Sequence, residues 1–205
     1  MKYYIILSCF LLTSLFSAAQ SFKGGILAGM TTSQYDGDSY SGFHRIGISG
    51  GVYVAHDISE KFLWQMEIKF IQKGSFQSPN FDPPSPKFDL RLNYFEVPFY
   101  IKYDYKYKLS FEAGLGLGYL SYHHEYLNDA PFDLTGSRPF HKYEISYQIG
   151  GYYQILKNLA VNIRYSYSIL PVRPHAGGGK HGFNWGEYNN VINFSLYYQF
   201  NKKDE

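Results

Sequence analysis

The sequence predicts an all-β fold, an eight-stranded antiparallel up-and-down transmembrane β-barrel, and three observations carry that reading. Eight segments rich in aromatic and β-branched residues alternate apolar and polar side chains at period two, as strands with two different faces do. The connections between them run long, short, long, short, long, short, long, the rhythm of hairpins with loops at one end and tight turns at the other. Aromatic residues make up 20% of the chain, with 22 Tyr and 17 Phe, and recur on the apolar face near both strand ends, where a barrel meets two membrane interfaces.

Composition bounds the rest. A chain of 205 residues suits one β domain. A mean hydropathy of −0.30 argues against a helical membrane protein but not against a barrel, because only every second strand residue meets lipid. A net charge of +2 is too small a bias to suggest nucleic acid. Met1-Lys2, the apolar run Tyr3 to Phe16 and the small residues Ser17-Ala18-Ala19 predict a signal peptide over residues 1–19, with the barrel domain over 20–205. Cys9 lies in the apolar run and leaves with it, so no disulfide and no cysteine metal site is expected.

The first strand spans Phe22 to about Thr32, where Gly24, Gly25 and Gly29 leave its faces undecided. The loop 33–42 follows. The second strand, Phe43 to Ala55, sets Ile46, Ile48, Val52 and Val54 against Arg45, Ser49 and Tyr53. After the turn Asp57 to Lys61, the third sets Trp64, Met66, Ile68 and Phe70 against Gln65, Glu67, Lys69 and Lys73. The loop 75–90 holds Pro79, Pro83, Pro84 and Pro86, which forbid a regular ladder. In the fourth strand Phe95, Val97, Phe99, Ile101 and Tyr103 oppose Tyr94, Glu96, Tyr100 and Lys102. A turn over Tyr105 to Lys108 leads to the fifth, where Phe111, Leu115, Leu117 and Tyr119 oppose Ser110, Glu112, Gly114, Gly116 and Gly118. Beyond the loop 123–139, the sixth sets Tyr143, Ile145, Tyr147, Ile149 and Tyr153 against Glu144, Ser146, Gln148 and Gln154. The turn Leu156 to Asn158 joins it to the seventh, with Val161, Ile163, Tyr165 and Tyr167 against Asn162, Arg164 and Ser166. The loop 171–187 then feeds the last strand, Tyr188 to Phe200, which closes the barrel onto the first.

A soluble lipocalin-like barrel, apolar inside, would show the same stripes. Two aromatic girdles favour the membrane. Phe95, Tyr119, Tyr143, Tyr167 and Tyr188 lie toward the long loops, and Trp64, Tyr103, Tyr153, Tyr198 and Phe200 toward the tight turns. The polar face mixes small residues with charges of both signs. Arg45, Lys69, Lys102 and Arg164 are expected to compensate Glu67, Glu96, Glu112 and Glu144 inside a narrow barrel.

Asn93-Tyr94-Phe95-Glu96-Val97-Pro98-Phe99-Tyr100-Ile101-Lys102-Tyr103 resembles a strand motif of the PorT-like outer-membrane β-barrel family. Phe22-Lys23-Gly24-Gly25, Gln72-Lys73-Gly74, Glu112-Ala113-Gly114 and Arg164-Tyr165-Ser166-Tyr167 agree with it. The resemblance implies an eight-stranded barrel in the bacterial outer membrane, with some relatives associated with moving proteins to the cell surface.

No catalytic or cofactor motif accompanies it. Glu96 and Pro98 read as a structural kink with an interior ion pair, against a bulge that displays a carboxylate. His123, His124 and Glu125, with His141, His175 and His181, are expected to be solvated loop residues rather than a metal site. Gly177-Gly178-Gly179-Lys180 lacks phosphate-loop spacing and reads as slack in its loop. His44, Ser121 and His123 are the candidates for a lipid-modifying enzyme, by location only. The expected function is therefore non-enzymatic: a porin-like scaffold whose loops bind, with outer-membrane lipid and other envelope proteins as partners and no nucleic acid. The alternatives are that enzyme and a periplasmic lipocalin-like binder.

Overall fold

A computed structural model describes residues 22–37, 42–80, 83–84, 86–131, 138–175 and 186–200. The leader and His181 lie outside them, as does the triple glycine. The elements are β1 (Lys23–Asp36), β2 (Arg45–Asp57), β3 (Phe62–Gln77), β4 (Phe88–Asp104), β5 (Leu109–Leu127), β6 (Ala130–Pro131), β7 (Tyr143–Leu156), β8 (Leu159–Ser168) and β9 (Tyr188–Gln199). Each barrel strand pairs antiparallel with its neighbour, and β9 closes on β1 from Gly25↔Gln199 to Asp36↔Tyr188. β6 is a two-residue stub that hairpins onto the end of β5, so eight strands make the wall.

The wall is apolar outside and polar inside. Ile26, Val52, Ile68, Val97, Leu117, Ile149, Ile163 and Leu196 are all exposed. Their strand neighbours Glu67, Lys69, Glu96, Gln148 and Arg164 are buried to 2% or less. A water-soluble protein buries the first set and exposes the second. The inversion fits a lipid solvent, and the lipocalin-like reading falls with it. Rings mark the upper limit of this band. Phe70 meets Phe95 and Tyr119 meets Tyr143, with centroids 5.8 and 5.7 Å apart. Two residues on, the outward side chains are Gln72 and Asn93, hydrogen-bonded to each other at 3.3 Å.

The strands run further than period-two counting suggests. β3 extends to Gln77 and β4 starts at Phe88, so the proline-rich connection is 78–87 instead of 75–90. β5 continues to Leu127, although its alternation fails at Ser121. Tyr94 pairs with Leu120 but Asn93 with Tyr122, which leaves Ser121 as the extra residue of a β-bulge, its hydroxyl donating to Asn93 O at 2.9 Å. The bulge switches inward positions from even to odd numbers, so the pattern looks broken where the strand goes on. β1 likewise reaches Asp36, and its inward residues are odd-numbered: Leu27, Thr31, Ser33 and Tyr35.

At the loop end β2 parts from β3 after Ser49↔Ile71, leaving the edge of β3 unpaired with β2 over six residues to Gln77. Thr31 Oγ1 donates to Gln72 O at 2.7 Å and Ser33 Oγ to Gly74 O at 3.0 Å. Hydroxyls thus replace the missing strand as donors to two of that edge's carbonyls.

Candidate functional site

Two transverse rows of the sheet build the centre of the lumen. In the first, Glu112 pairs with Gly150 and Gly150 with Arg164. The missing side chain at Gly150 lets the flanking ions meet over it, since a Cβ there would lie 2.7 Å from Glu112 Oε1. Arg164 donates from Nε to Glu112 Oε1 at 2.7 Å and from Nη2 to Oε2 at 3.0 Å. On its other side Nη1 and Nη2 reach Glu67 Oε2 and Oε1 at 2.9 and 3.0 Å. One planar fork therefore holds two carboxylates, the geometry only arginine offers. Its Cζ lies 4.1 Å from the centroid of the Tyr100 ring, and the hydroxyl of Tyr197 donates to Glu67 at 2.8 Å.

In the second row Lys69, Glu96, Gly118 and Glu144 follow one another on β3, β4, β5 and β7. Lys73 Nζ sits between the two carboxylates, 2.5 Å from Glu96 and 3.0 Å from Glu144. Lys69 lies 3.4 Å from Glu96 and 3.6 Å from Glu67, joining the rows into one network. Ser168 Oγ and Asn189 Nδ2 satisfy Glu144 at 2.7 and 3.1 Å. Hydrogen bonds to Glu67, Glu112 and Glu144 and ion pairs to Glu96 help make so much buried charge tolerable. Lys73 was assigned to the polar face in sequence but not to the charge set. Nothing in a periodic pattern shows that its Nζ lies between Glu96 and Glu144.

Glu96 and Pro98 produce no bulge. The β3–β4 ladder passes from Met66↔Phe99 to Lys69↔Glu96, skipping the pairs around Pro98, which has no donor to give.

Two expected members stand elsewhere. Arg45 is not interior. Because β2 splays away, its guanidinium reaches the outward face of β4 and pairs with Asp89 at 2.9 Å. Lys102 points inward but lies at the turn end, its Nζ 3.4 Å from the Tyr152 centroid and 3.5 Å from Gln65 Oε1. Four carboxylates face the three paired cations Lys69, Lys73 and Arg164, and the charge on Lys102 offsets the remainder across the lumen. It lines a cavity of 110 Å³ open toward the tight turns, with Tyr53, Gln65, Ser110 and Tyr197.

Above the network the lumen is apolar. Tyr35, Ile71, Leu90, Leu92, Tyr94, Leu120, Val172 and Val191 pack together with Phe140. Phe140 and Val172 come from loops folded inward over the strands. Two ion pairs clamp these loops. Arg173 pairs with Glu125 and stacks 4.3 Å from the Phe140 centroid, and Arg138 pairs with Glu187 at 2.7 Å. Glu125 is inward only because the Ser121 bulge reversed the parity of β5, so sequence periodicity left it in a loop.

Burial pushes the Glu187 carboxyl above the ordinary carboxylate range, against Arg138 and Arg173, which lower it. A carboxyl raised in the folded state binds its proton more tightly there than in the unfolded chain. Acidification through the window just above the ordinary range should therefore stabilise this region relative to the unfolded chain, the neutral carboxyl keeping Arg138 by a hydrogen bond in place of the ion pair. Protection of the Val172 amide, which donates to Glu187 O at 2.8 Å, and of the Glu187 amide, which donates to Arg173 O at 2.8 Å, is expected to rise there in the wild type and stay flat in Glu187→Gln.

The aromatic girdles are exposed at Phe95, Tyr119, Tyr143, Tyr153, Tyr198 and Phe200, and part-covered at Trp64, Tyr103 and Tyr167. Tyr188 departs from the expectation. It is 8% exposed, with the Tyr167 ring stacked on it at 5.8 Å. Among the described loop histidines no cluster forms. His123 lies against Phe140, and His124 stands outward between the Tyr122 and Tyr126 rings. Among the described residues no group of three His, Cys, Asp or Glu side chains could hold a metal ion. Ser121 is engaged by the bulge, so it is not held as a nucleophile beside His123.

Comparison with known proteins follows the geometry. The chain is similar in fold to Ail, the attachment invasion locus protein of Yersinia pestis, at 13% identity over 87% of this chain and 98% of that one, with a TM-score of 0.51. It is similar also to Neisserial surface protein A, at 14% identity over 86% of this chain and 97% of that one, with a TM-score of 0.52. At such identities the likeness is one of architecture. No curated protein matches. The sequence model described as outer membrane protein beta-barrel domain matches residues 17–173. With an apolar outer wall, aromatic rings at its limits and a family match over most of its length, the chain belongs to the outer membrane protein β-barrel domain family.

Proposed function

We propose that this barrel is a non-enzymatic, PorT-like scaffold that presents a binding surface for other envelope proteins, in a pathway that brings proteins to the cell surface. Its specificity lies in the long connections 37–44, 78–87, 128–142 and 171–187. The observation that supports this reading is the filled lumen. The ion network occupies its middle and an apolar plug its loop end, so work at the two rims is favoured over passage between them. Clamps such as Arg173–Glu125 and Arg138–Glu187 brace the loop bases against the wall, and a rigid support favours recognition. The export role rests on the likeness of the fourth-strand motif. Pull-down from detergent-solubilised outer membrane, comparing the wild type with a variant whose 171–187 loop is shortened, tests the reading. Loss of a specific envelope partner on shortening is expected, and an unchanged set of partners would overturn it. In planar bilayers the protein should show no large, stable open channel. Steady porin-sized currents would mean that the plug does not hold.

A further inference from the structure

Three strands outgrow the rest at the loop end. From the Phe70–Phe95–Tyr119 row upward, the outward positions of β3, β4 and β5 read Gln72, Asn93, Tyr122; then Gly74, Arg91, His124; then Phe76, Asp89, Tyr126. At about 3.3 Å per residue and a tilt near 40°, each row adds roughly 5 Å of height. Arg91 thus stands about 10 Å above the aromatic limit, and Asp89 about 15 Å. This is the level of the headgroups of the adjoining leaflet and just beyond, on the face that meets lipid below.

The start of β2 arches across this face and encloses a groove of 500 Å³, lined by Arg45, Phe76, Lys87, Asp89, Arg91 and Tyr126 among others. Its cations outnumber its anions. The single carboxylate of Asp89 serves two guanidiniums, Arg45 at 2.9 Å and Arg91 at 2.7 Å. Arg45 Nε is buried with no hydrogen-bond partner, while half of the Arg91 side chain is exposed. Lys87 pairs with Asp129 at 2.6 Å, but both are open to solvent and such a pair exchanges easily. Gly74, at φ +141, puts no side chain beside Arg91. Donors of fixed fork geometry, the Phe76 and Tyr126 rings and an apolar wall that begins two rows beneath, past Gln72 and Asn93, suit one class of ligand. It is an amphiphile with a phosphate on its headgroup.

We propose that this groove binds the phosphate of an anionic glycolipid of the outer leaflet, with Arg45 and Arg91 as its fork, Lys87 as a third cation and the acyl chains lying on the wall below Phe95. The site needs only the folded barrel, and although Lys87 and Asp129 stand at the bases of two loops, a lipid can be tested there with no protein partner present. Native mass spectrometry of the full chain in neutral detergent tests it, with lipid A and dephosphorylated lipid A as probes. The wild type is expected to retain the phosphorylated probe, and Arg91→Gln and Arg45→Gln/Arg91→Gln to retain at least about tenfold less. Asp129→Asn, which frees Lys87, should retain as much or more. Arg91 is surface-exposed, so its single substitution leaves a folded barrel, checked by heat-shifted gel mobility. Equal retention of the dephosphorylated probe, or wild-type retention by the double variant, would overturn the site. Complete displacement by inorganic phosphate would also overturn it, because the ligand would then be a free ion rather than a lipid.

Discussion

Replacing Arg164 by alanine is expected to destabilise the barrel by about 3–5 kcal/mol, the range for removing one partner of a buried ion network. The reason is what stays behind. Arg164 makes four of its hydrogen bonds to Glu67 and Glu112, and its departure leaves two buried carboxylates facing each other's side of the lumen. Lys69 lies 3.6 Å from Glu67, so that carboxylate keeps a partial partner. Glu112 keeps Asn162 Nδ2 at 2.9 Å but no cation. The loss should therefore shrink as pH falls and the stranded carboxylates are neutralised by protons. It should also shrink in Arg164→Met/Glu112→Gln, which removes one charge of each sign and leaves Lys69, Lys73 and Lys102 facing Glu67, Glu96 and Glu144. Urea unfolding in lipid vesicles at neutral and acidic pH measures both. A single variant as stable as the wild type at neutral pH would mean that water, not Arg164, neutralises the lumen.

The division of the chain into faces was legible because lipid and packed polar lumen are such different solvents. Every strand that separates them must alternate, and Glu112, Glu144 and Arg164 fall inside by counting alone. Which ions meet was not legible, because pairing depends on register and on contacts across the lumen. Glu112 and Arg164 meet because Gly150 sits between them in the row, and Glu67 reaches the same guanidinium from β3 on another part of the wall. Where the wall stops being a simple barrel, periodicity misleads. The Ser121 bulge hid the end of β5 and with it the inward turn of Glu125. The splaying of β2 carried Arg45 out of the lumen, although its parity matches that of Ser49. Long-range contacts such as Arg173 with Glu125 join loop to strand, and no local pattern encodes them.

Replacing Ile163 by arginine is the complementary test, because it perturbs lipid contact and leaves the ion network alone. Ile163 and Arg164 are neighbours on β8 and point to opposite sides, one 52% exposed and the other 1%. Ile163 sits midway along its strand, opposite Phe194 on β9 and Gly151 on β7, so it lies close to the centre of the bilayer. A cation there should cost roughly 2–4 kcal/mol, against about zero to one near an interface. Gly151 offers it no carboxylate and Phe194 no hydrogen bond, and snorkelling to either surface must cross several residues of apolar wall. Arginine stays protonated at any pH the barrel survives, so this loss should persist on acidification while that of Arg164→Ala declines. The same urea titrations in vesicles separate the two. In detergent micelles, whose thin shell admits water, the Ile163→Arg penalty should be smaller than in a bilayer. An Ile163→Arg barrel of wild-type stability in lipid would mean that this face does not meet the membrane, and the orientation of the whole wall would fall with it.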